Sequence, residues 1–170
     1  MIDLLRDRRS VRVYKAQPVE SDKIDVLQEA VLRSPSSRNL NPWEFIFIQD
    51  RDTLRKLASA KAHGSAFLKD APLGVVVLGD ENVSDVWVED CSIASIVLQL
   101  TAQSLDLGSC WIQIRQRKHD ENTSAEFYVK QLLDVPDHLS VESIIAIGYP
   151  EHKPEGIPQK DLDYAKIINE

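Results

Sequence analysis

The chain of 170 residues is 43% hydrophobic and 28% charged, an ordinary globular composition at a length that usually makes one compact domain. No apolar run approaches the roughly 18 residues that cross a bilayer, and the charged start is unlike a signal peptide, so we expect a cytoplasmic protein with no membrane contact. The net charge of −7 argues against a nucleic-acid partner.

Positive charge is concentrated at the beginning of the chain. Residues 1–17 carry five Lys or Arg against two Asp, so this segment is basic within an acidic protein. Such a patch indicates one small anionic ligand, whereas an Arg-rich helix without other evidence is more often a solvated face. The pattern predicts a short helix up to about residue 9, followed by an extended stretch over residues 11–14.

The next part of the chain alternates between helical and strand patterns. Asp22 is a typical helix cap and Pro35 a helix terminator, with apolar residues at helical spacing between them. Residues 73–78 are apolar and largely β-branched, which is typical of a strand buried on both faces. The other predicted elements are a polar loop over residues 35–42, a strand over residues 43–48 and a helix over residues 53–62.

The most informative element is the stretch over residues 86–107. It is apolar around most of a helical circumference, and Gly108 stands where a glycine commonly ends a helix. We therefore predict a central helix, enclosed either by the sheet and the other helices or by a second subunit.

The remaining elements lead to a tail of a different kind. A strand over residues 110–114, a helix over residues 124–133 and a strand over residues 143–147 precede it. Residues 150–170 contain three prolines and no helical period, so the tail has no core of its own and is either disordered or docked. We interpret residues 1–170 as a single domain that includes this tail.

Several common chemical motifs are missing from the sequence. The six glycines form neither GxGxxG nor a P-loop, and no GxSxG nucleophile signal occurs. The four histidines lack metal-site spacing, and the two cysteines form no CxxC pair. We therefore predict no metal site and no nucleophilic side chain.

Five short motifs nevertheless follow one another in a recognisable order. They are Arg8-Arg9-Ser10-Val11-Arg12, residues 35–39 followed by Asn41-Pro42-Trp43, residues 89–94, residues 107–111 and residues 147–150. Together these motifs span nearly the whole chain, which resembles the FMN-dependent nitroreductase family. The resemblance implies an α+β fold with a central, mostly antiparallel sheet flanked by helices. It also implies a homodimer with one FMN in each of two interfacial clefts, and a tail, residues 150–170, that crosses to the partner subunit as a domain-swapped extension.

The basic motif agrees with this implication. Arg8 and Arg9 can supply charge-assisted donors, and Ser10 a hydroxyl donor, for the FMN phosphate, in place of a glycine loop. The resemblance implies that Arg12 lies nearer the flavin ring edge. A fixed cation there raises the reduction potential of the flavin.

The resemblance implies three further groups of cofactor contacts. They are Pro35, Ser36, Ser37 and Asn39 reaching FMN across the dimer interface, the turn formed by Leu107, Gly108 and Ser109 close to the flavin, and Lys160 near the phosphate. Taken alone, the first two groups are an ordinary polar turn and an ordinary helix end.

The function implied is an FMN-dependent oxidoreductase, in which NADH or NADPH passes a hydride to the flavin and an acceptor then takes the electrons. The acceptor is a small molecule such as a nitroaromatic, a quinone or free flavin, and no protein side chain needs to act as a catalytic acid or nucleophile. Two alternatives stay open from the sequence: a flavin-binding carrier or redox-responsive interaction module without turnover, and a flavin-free interaction protein.

Overall fold

A computed structural model describes residues 1–169. In this part of the chain, five α-helices and four β-strands carry the fold. The helices are α1 (Ile2–Asp7), α2 (Ser21–Leu32), α3 (Arg51–Leu57), α4 (Trp87–Ser104) and α5 (Ala125–Leu133), and the strands are β1 (Trp43–Ile48), β2 (Leu73–Asp80), β3 (Gly108–Gln113) and β4 (Leu139–Gly148). Among these residues, no helix has both the length and the apolar character needed to span a membrane.

The strands form one sheet in the order β1-β2-β4-β3, and every neighbouring pair is antiparallel. One face packs against α3 and α5, where Leu54 and Val129 are fully buried. The other face packs against α2 and α4, where Leu27 and Leu98 are fully buried. The expected antiparallel sheet flanked by helices is therefore confirmed, while the dimer and the domain-swapped tail remain predictions.

The predicted bounds hold for some elements and not for others: β3 begins at Gly108 rather than at residue 110, and β4 begins at Leu139 rather than at residue 143. β1 has the predicted bounds, and β2 begins at the predicted residue. Asp22 is not the cap of α2, because Glu20 occupies that position and Asp22 lies in the first turn. α3 begins earlier than predicted because the side chain of Asp50 accepts a hydrogen bond from the Thr53 backbone N–H, and α3 ends at Leu57 rather than at residue 62.

The expected role of Gly108 as the end of the long helix is wrong. α4 ends at Ser104, and Asp106 adopts the left-handed backbone conformation with φ +61°, while Gly108 is already the first residue of β3. A Cβ at position 108 would lie 2.6 Å from Cγ2 of Val11. Glycine is therefore required here because the N-terminal segment packs directly against the strand.

The N-terminal segment after α1 is bound to the end of the sheet. Ser10 bridges Ser109 in β3, and Tyr14 bridges Pro150 after β4. The Val11 backbone N–H donates to Ser109 O at 2.9 Å. The extended stretch predicted over residues 11–14 thus joins the basic motif to the start of β3.

The long helix α4 is buried on one side only in this chain. Cys91, Ala94, Leu98 and Ala102 have no solvent exposure, but other apolar side chains remain open: Ile93 and Ile96 are 39% and 38% exposed. The prediction that this helix is enclosed all round therefore fails for the chain alone and stays a prediction for a second subunit.

A β-bulge in β4 places a carboxylate in the interior. Val77 of β2 faces Ser143 and Leu78 faces Val141, so Glu142 is an extra residue between them. Glu142 is 3% exposed, and its Oε2 atom has no hydrogen-bond partner within residues 1–169. A buried acceptor without a partner is costly, and this one lies near Glu89 in the first turn of α4.

Candidate functional site

Two segments predicted to bind the cofactor meet at one corner of the sheet. We call residues 8–12 together with residues 107–110 the N-terminal corner. The backbone pairing of Ser10 with Ser109 holds the two segments side by side. The structure therefore brings the Arg8–Arg12 motif into contact with the turn that precedes β3.

The arginines of this corner have no acidic partners. Within residues 1–169, no carboxylate oxygen lies within 4.0 Å of Arg8, Arg9 or Arg12. By contrast, Arg33 and Arg55 each pair with a carboxylate three or four residues away on their own helix. Unpaired cations held close together attract an anion, as the basic patch in the sequence predicted.

The C-terminal tail approaches the same arginines. A cavity of about 600 Å³ is lined on one side by Arg8 and Arg9 and on the other by Gln159 and Tyr164 of the tail. Lys160 follows Gln159, is exposed, and does not itself line the cavity. The structure thus places the segment that carries Lys160, but not its side chain, beside the cavity with Arg8 and Arg9.

Close packing fixes the path of the tail toward α1. A Cβ at Gly156 would overlap the backbone oxygen of Arg6, so only glycine fits there. Lys153 also forms an ion pair with Asp7 at 3.5 Å. These contacts hold the beginning of the tail against the basic end of α1.

The corner contains a buried thiol surrounded by cations. Burial raises the pKa of Cys110, while Arg12, a hydrogen bond with Ser10, Lys61 and Arg8 act in the opposite direction, in decreasing order. Lys61, which the sequence analysis missed, is a further cation whose charge acts on the corner.

The segment that carries Lys61 is folded over the corner by a tight turn. Gly64 adopts φ +82°, and the Nζ atom of Lys61 lies 3.6 Å from where a Gly64 Cβ would be. The guanidinium carbon of Arg12 lies 5.9 Å from the ring centroid of Phe67 in the same segment. The sequence around Lys61 contains no motif, and only the glycine marks the turn.

The second predicted group of contacts forms a compact loop. We call residues 35–42 the polar loop. The Asn41 backbone N–H donates to Ser36 Oγ at 2.9 Å, and the Ser37 backbone N–H donates to Asp90 Oδ1 at 2.7 Å. Arg38 forms an ion pair with Asp85. Three residues of the loop have positive φ: Arg38, Asn39 and Asn41.

The polar loop and the N-terminal corner lie at opposite ends of α4. Asp90, which binds the loop, is in the first turn of the helix, whereas Leu107 follows its last turn. At 1.5 Å per residue, the 15 residues from Asp90 to Leu105 extend about 22 Å. Within one chain, Pro35, Ser36, Ser37 and Asn39 are therefore not brought to the arginines.

Comparisons with known proteins give a consistent result. The model of the nitroreductase family matches residues 5–81 and 59–149. The solved structure of an FMN-dependent nitroreductase from Clostridium difficile R20291 shares 45% sequence identity and superimposes with a TM-score of 0.97 over 99% of this chain and 98% of that chain.

Two curated relatives carry related names. A protein of Archaeoglobus fulgidus named "Putative NADH dehydrogenase/NAD(P)H nitroreductase" is 33% identical over 88% of this chain and 85% of its own length. The "FMN reductase [NAD(P)H]" of Bacillus subtilis is 26% identical over 96% of this chain and 72% of its own length.

The fold and these matches define the class of the protein as an NAD(P)H oxidoreductase. More specifically, the chain belongs to the nitroreductase family, because the family model covers most of its length and relatives above 30% identity span it almost end to end. The sequence-based identification of the family is confirmed.

Proposed function

We propose that this protein binds FMN at the N-terminal corner and uses NADH or NADPH to reduce a small-molecule acceptor such as a nitroaromatic, a quinone or free flavin. The observation that carries the proposal is the group of cations Arg8, Arg9 and Arg12, which have no carboxylate partner within residues 1–169. The name of the C. difficile relative, an FMN-dependent nitroreductase, supports the choice of cofactor.

The residues of the corner fit the chemistry of FMN. Arg8 and Arg9 would bind the phosphate dianion by charge-assisted hydrogen bonds, with Ser10 as a hydroxyl donor and Lys160 joining from the tail. The cavity of about 600 Å³ beside these arginines accommodates a ligand of this size class. Leu107, Gly108 and Ser109 do not line this cavity; their proposed contact with FMN rests on the pairing of Ser109 with Ser10, which follows Arg8 and Arg9.

FMN, when bound, supplies the hydride chemistry that links NAD(P)H to the acceptor. The chain's own contribution is binding and electrostatics. Arg12 would hold a positive charge near the ring edge, which raises the reduction potential of the cofactor. No side chain is assigned as an acid, base or nucleophile. The donor and the acceptor would use the same open face of the flavin, one after the other.

A homodimer would complete the site. A two-fold axis can bring the polar loop of one subunit, with Pro35, Ser36, Ser37 and Asn39, to the N-terminal corner of the other. The exposed apolar face of α4 at Ile93 and Ile96 offers the surface for this association.

In such a dimer, the tail of one subunit can dock on the open sheet edge of the other. β1 is an edge strand, and within residues 1–169 no other strand pairs with its outer side. A groove lined by Leu32, Phe45 and Phe47 lies beside it. The tail leaves Ile167 and Ile168 59% and 86% exposed in the single chain, and an open sheet edge on the partner would bury them.

The test is a titration of apoprotein with FMN, followed by anaerobic addition of NADH or NADPH and then of an acceptor. We expect a yellow protein whose absorbance is bleached by the donor and restored by the acceptor. A protein that does not bind FMN would contradict the whole proposal, and a yellow protein that neither donor bleaches would contradict the enzymatic part.

The role of Arg12 is tested by potentiometry of the holoprotein. Arg12→Ala is expected to lower the reduction potential of the bound flavin, with a smaller effect on FMN affinity. Arg12→Lys keeps the charge and is the matched control. An unchanged potential in Arg12→Ala would contradict the placement of Arg12 at the ring edge.

A further inference from the structure

Two cations near the corner are not required by the proposed FMN contacts. Lys61 is half-buried and Arg117 is exposed, and within residues 1–169 neither has a carboxylate within 4.0 Å. Burial lowers the pKa of Lys61, and the charge of Arg117 lowers the pKa further. The two positive charges therefore act on each other without a compensating anion.

Specific contacts hold the segments of these two cations together. The ring Nδ1 of His119 lies 2.9 Å from the backbone oxygen of Ser59, two residues before Lys61. The same ring stacks on Tyr128 with a centroid distance of 4.1 Å, and the Tyr128 hydroxyl donates to Lys56 O at 3.0 Å. Residues 117–119 are thereby attached to residues 56–61.

Lys61 lies next to open space, and its segment packs on the corner. A cavity of about 460 Å³ is lined by Ser59, Lys61, His63 and Gly64. The segment that carries Lys61 also carries Phe67, whose ring centroid lies 5.9 Å from the guanidinium carbon of Arg12 in the corner. A molecule that reaches the flavin ring beside Arg12 can therefore extend over Lys61.

We propose that Lys61 and Arg117 bind an oxyanion of the molecule that exchanges electrons with the flavin. The oxyanion is a phosphate of the nicotinamide donor or an acidic group of the acceptor, because both present the same charge and the same hydrogen-bond acceptors. The inference rests on the proposed function. In the proposed site, Arg8, Arg9 and Lys160 bind the phosphate of FMN. The positive charges of Lys61 and Arg117 have no counter-ion and would therefore bind a second anion.

The experiment compares charged and neutral members of each substrate pair. Lys61→Met, Arg117→Met and the double variant are loaded with FMN, and kcat/KM is measured for two donors, NADH and the phosphate-free 1-benzyl-1,4-dihydronicotinamide. The acceptor arm compares 4-nitrobenzoate with the neutral 4-nitrobenzyl alcohol. Arg55→Met, which removes an arginine that pairs with Asp52 on α3, is the matched control.

We expect kcat/KM for the charged member of one arm to fall about tenfold or more, which corresponds to the loss of a charge-assisted hydrogen bond. The neutral member should change less than about twofold, and Lys61→Arg should keep most of the activity. The affected arm identifies whether the anion belongs to the donor or to the acceptor.

Equal losses for charged and neutral substrates would overturn the inference. A large loss of FMN affinity in Lys61→Met would also overturn it, because Lys61 would then belong to the cofactor site. Failure of the proposed function has a different signature: wild-type protein would not bind FMN or would not be bleached by either donor.

Discussion

The two ends of α4 differ in how their charges are satisfied. At its C-terminal end, Arg8, Arg9 and Arg12 have no carboxylate partner within residues 1–169. At its N-terminal end, Arg38 of the polar loop pairs with Asp85, and the loop backbone donates to Asp90. The arginines at one end are free to bind an anion from outside the chain, whereas Arg38 at the other end is already paired within it.

This difference separates two ways of contributing to a binding site. In the proposed site, an anionic ligand would stabilise the N-terminal corner, so we expect FMN affinity to depend on single side chains there. The polar loop is held in shape by hydrogen bonds within the chain, and in the proposed dimer it would present a rigid surface. The predictions below test whether the two ends are as unlike as their contacts indicate.

The largest effect is expected from removal of the tail at Glu151. The truncated chain loses Lys160 and the wall of the cavity that Gln159 and Tyr164 provide. We expect loss of both the dimer and bound FMN, measured by analytical ultracentrifugation and by the ratio of flavin to protein absorbance. A truncated dimer with its full complement of FMN would show that the tail is dispensable.

The next effect concerns a single unpaired arginine. Arg8→Ala should weaken FMN binding about ten- to a hundredfold, because it removes a charge-assisted contact of about 1.5–3 kcal/mol. The control is Arg33→Ala. The exposed side chain of Arg33 pairs with Glu29 at the end of α2, so its removal should leave the affinity unchanged. Titration of both apoproteins with FMN measures the difference, and equal affinities would remove the phosphate assignment.

Gly108→Ala tests the close packing at the corner. The new Cβ would meet Val11 at 2.6 Å, so the N-terminal segment must shift away from β3. We expect a loss of about 1–3 kcal/mol in the free energy of unfolding and a weaker affinity for FMN.

Gly74→Ala is the control for this substitution. Its Cβ would meet Leu54 at 2.7 Å in the core, on β2 rather than at the β3 residue that packs on Val11, so it should lower stability without a specific loss of FMN affinity. Urea unfolding and FMN titration, both made where the variants are folded, separate the two effects. Parallel losses of affinity in the two variants would speak against a role for residue 108 in shaping the corner.

The smallest effect is expected at the N-terminal end of α4, where the Oε2 atom of Glu142 is buried without a hydrogen-bond partner among the described residues. Burial raises the pKa of Glu142, with a smaller opposite effect of Arg115 and additional raising effects of Glu126 and Glu89. The folded state therefore holds this proton more tightly than the unfolded state, and the associated stability is lost as pH rises above the ordinary pKa of glutamate toward the raised one.

Glu142→Gln removes this titration. At neutral pH the variant should be more stable than wild type by about 1 kcal/mol, and the advantage should shrink as pH falls toward 4.5. Thermal or urea unfolding across pH 4.5–8 measures it. A stability difference that does not vary with pH would show that the titration of Glu142 does not affect folding.

Much of the fold follows from the sequence because its signals are local. The apolar runs predicted β1 to the residue and the start of β2, and the helical period predicted α4 to within three residues at its C-terminal end. The concentration of basic residues before Tyr14 likewise predicted a local basic patch, and Arg8, Arg9 and Arg12 lie there without a carboxylate partner within residues 1–169.

The parts that were missed depend on contacts between distant segments. Gly108 was interpreted as a helix end because nothing in the local sequence shows that Val11 packs on it. Lys61 belongs to the corner only because its turn folds back toward Cys110, and Arg117 approaches it only through the contact between His119 and Ser59. No periodicity or motif in the sequence indicates contacts between segments that are this far apart in the chain.

The length of α4 has a genetic consequence. About 22 Å separates the polar loop from the arginines. Each site in the proposed dimer would therefore be assembled from two copies of the chain, which two different alleles can encode. Mixing an Arg8→Ala chain with a chain altered in the polar loop would give dimers that have one site with both lesions and one site with neither. Two inactive alleles would then complement each other, restoring up to half of the activity in each mixed dimer.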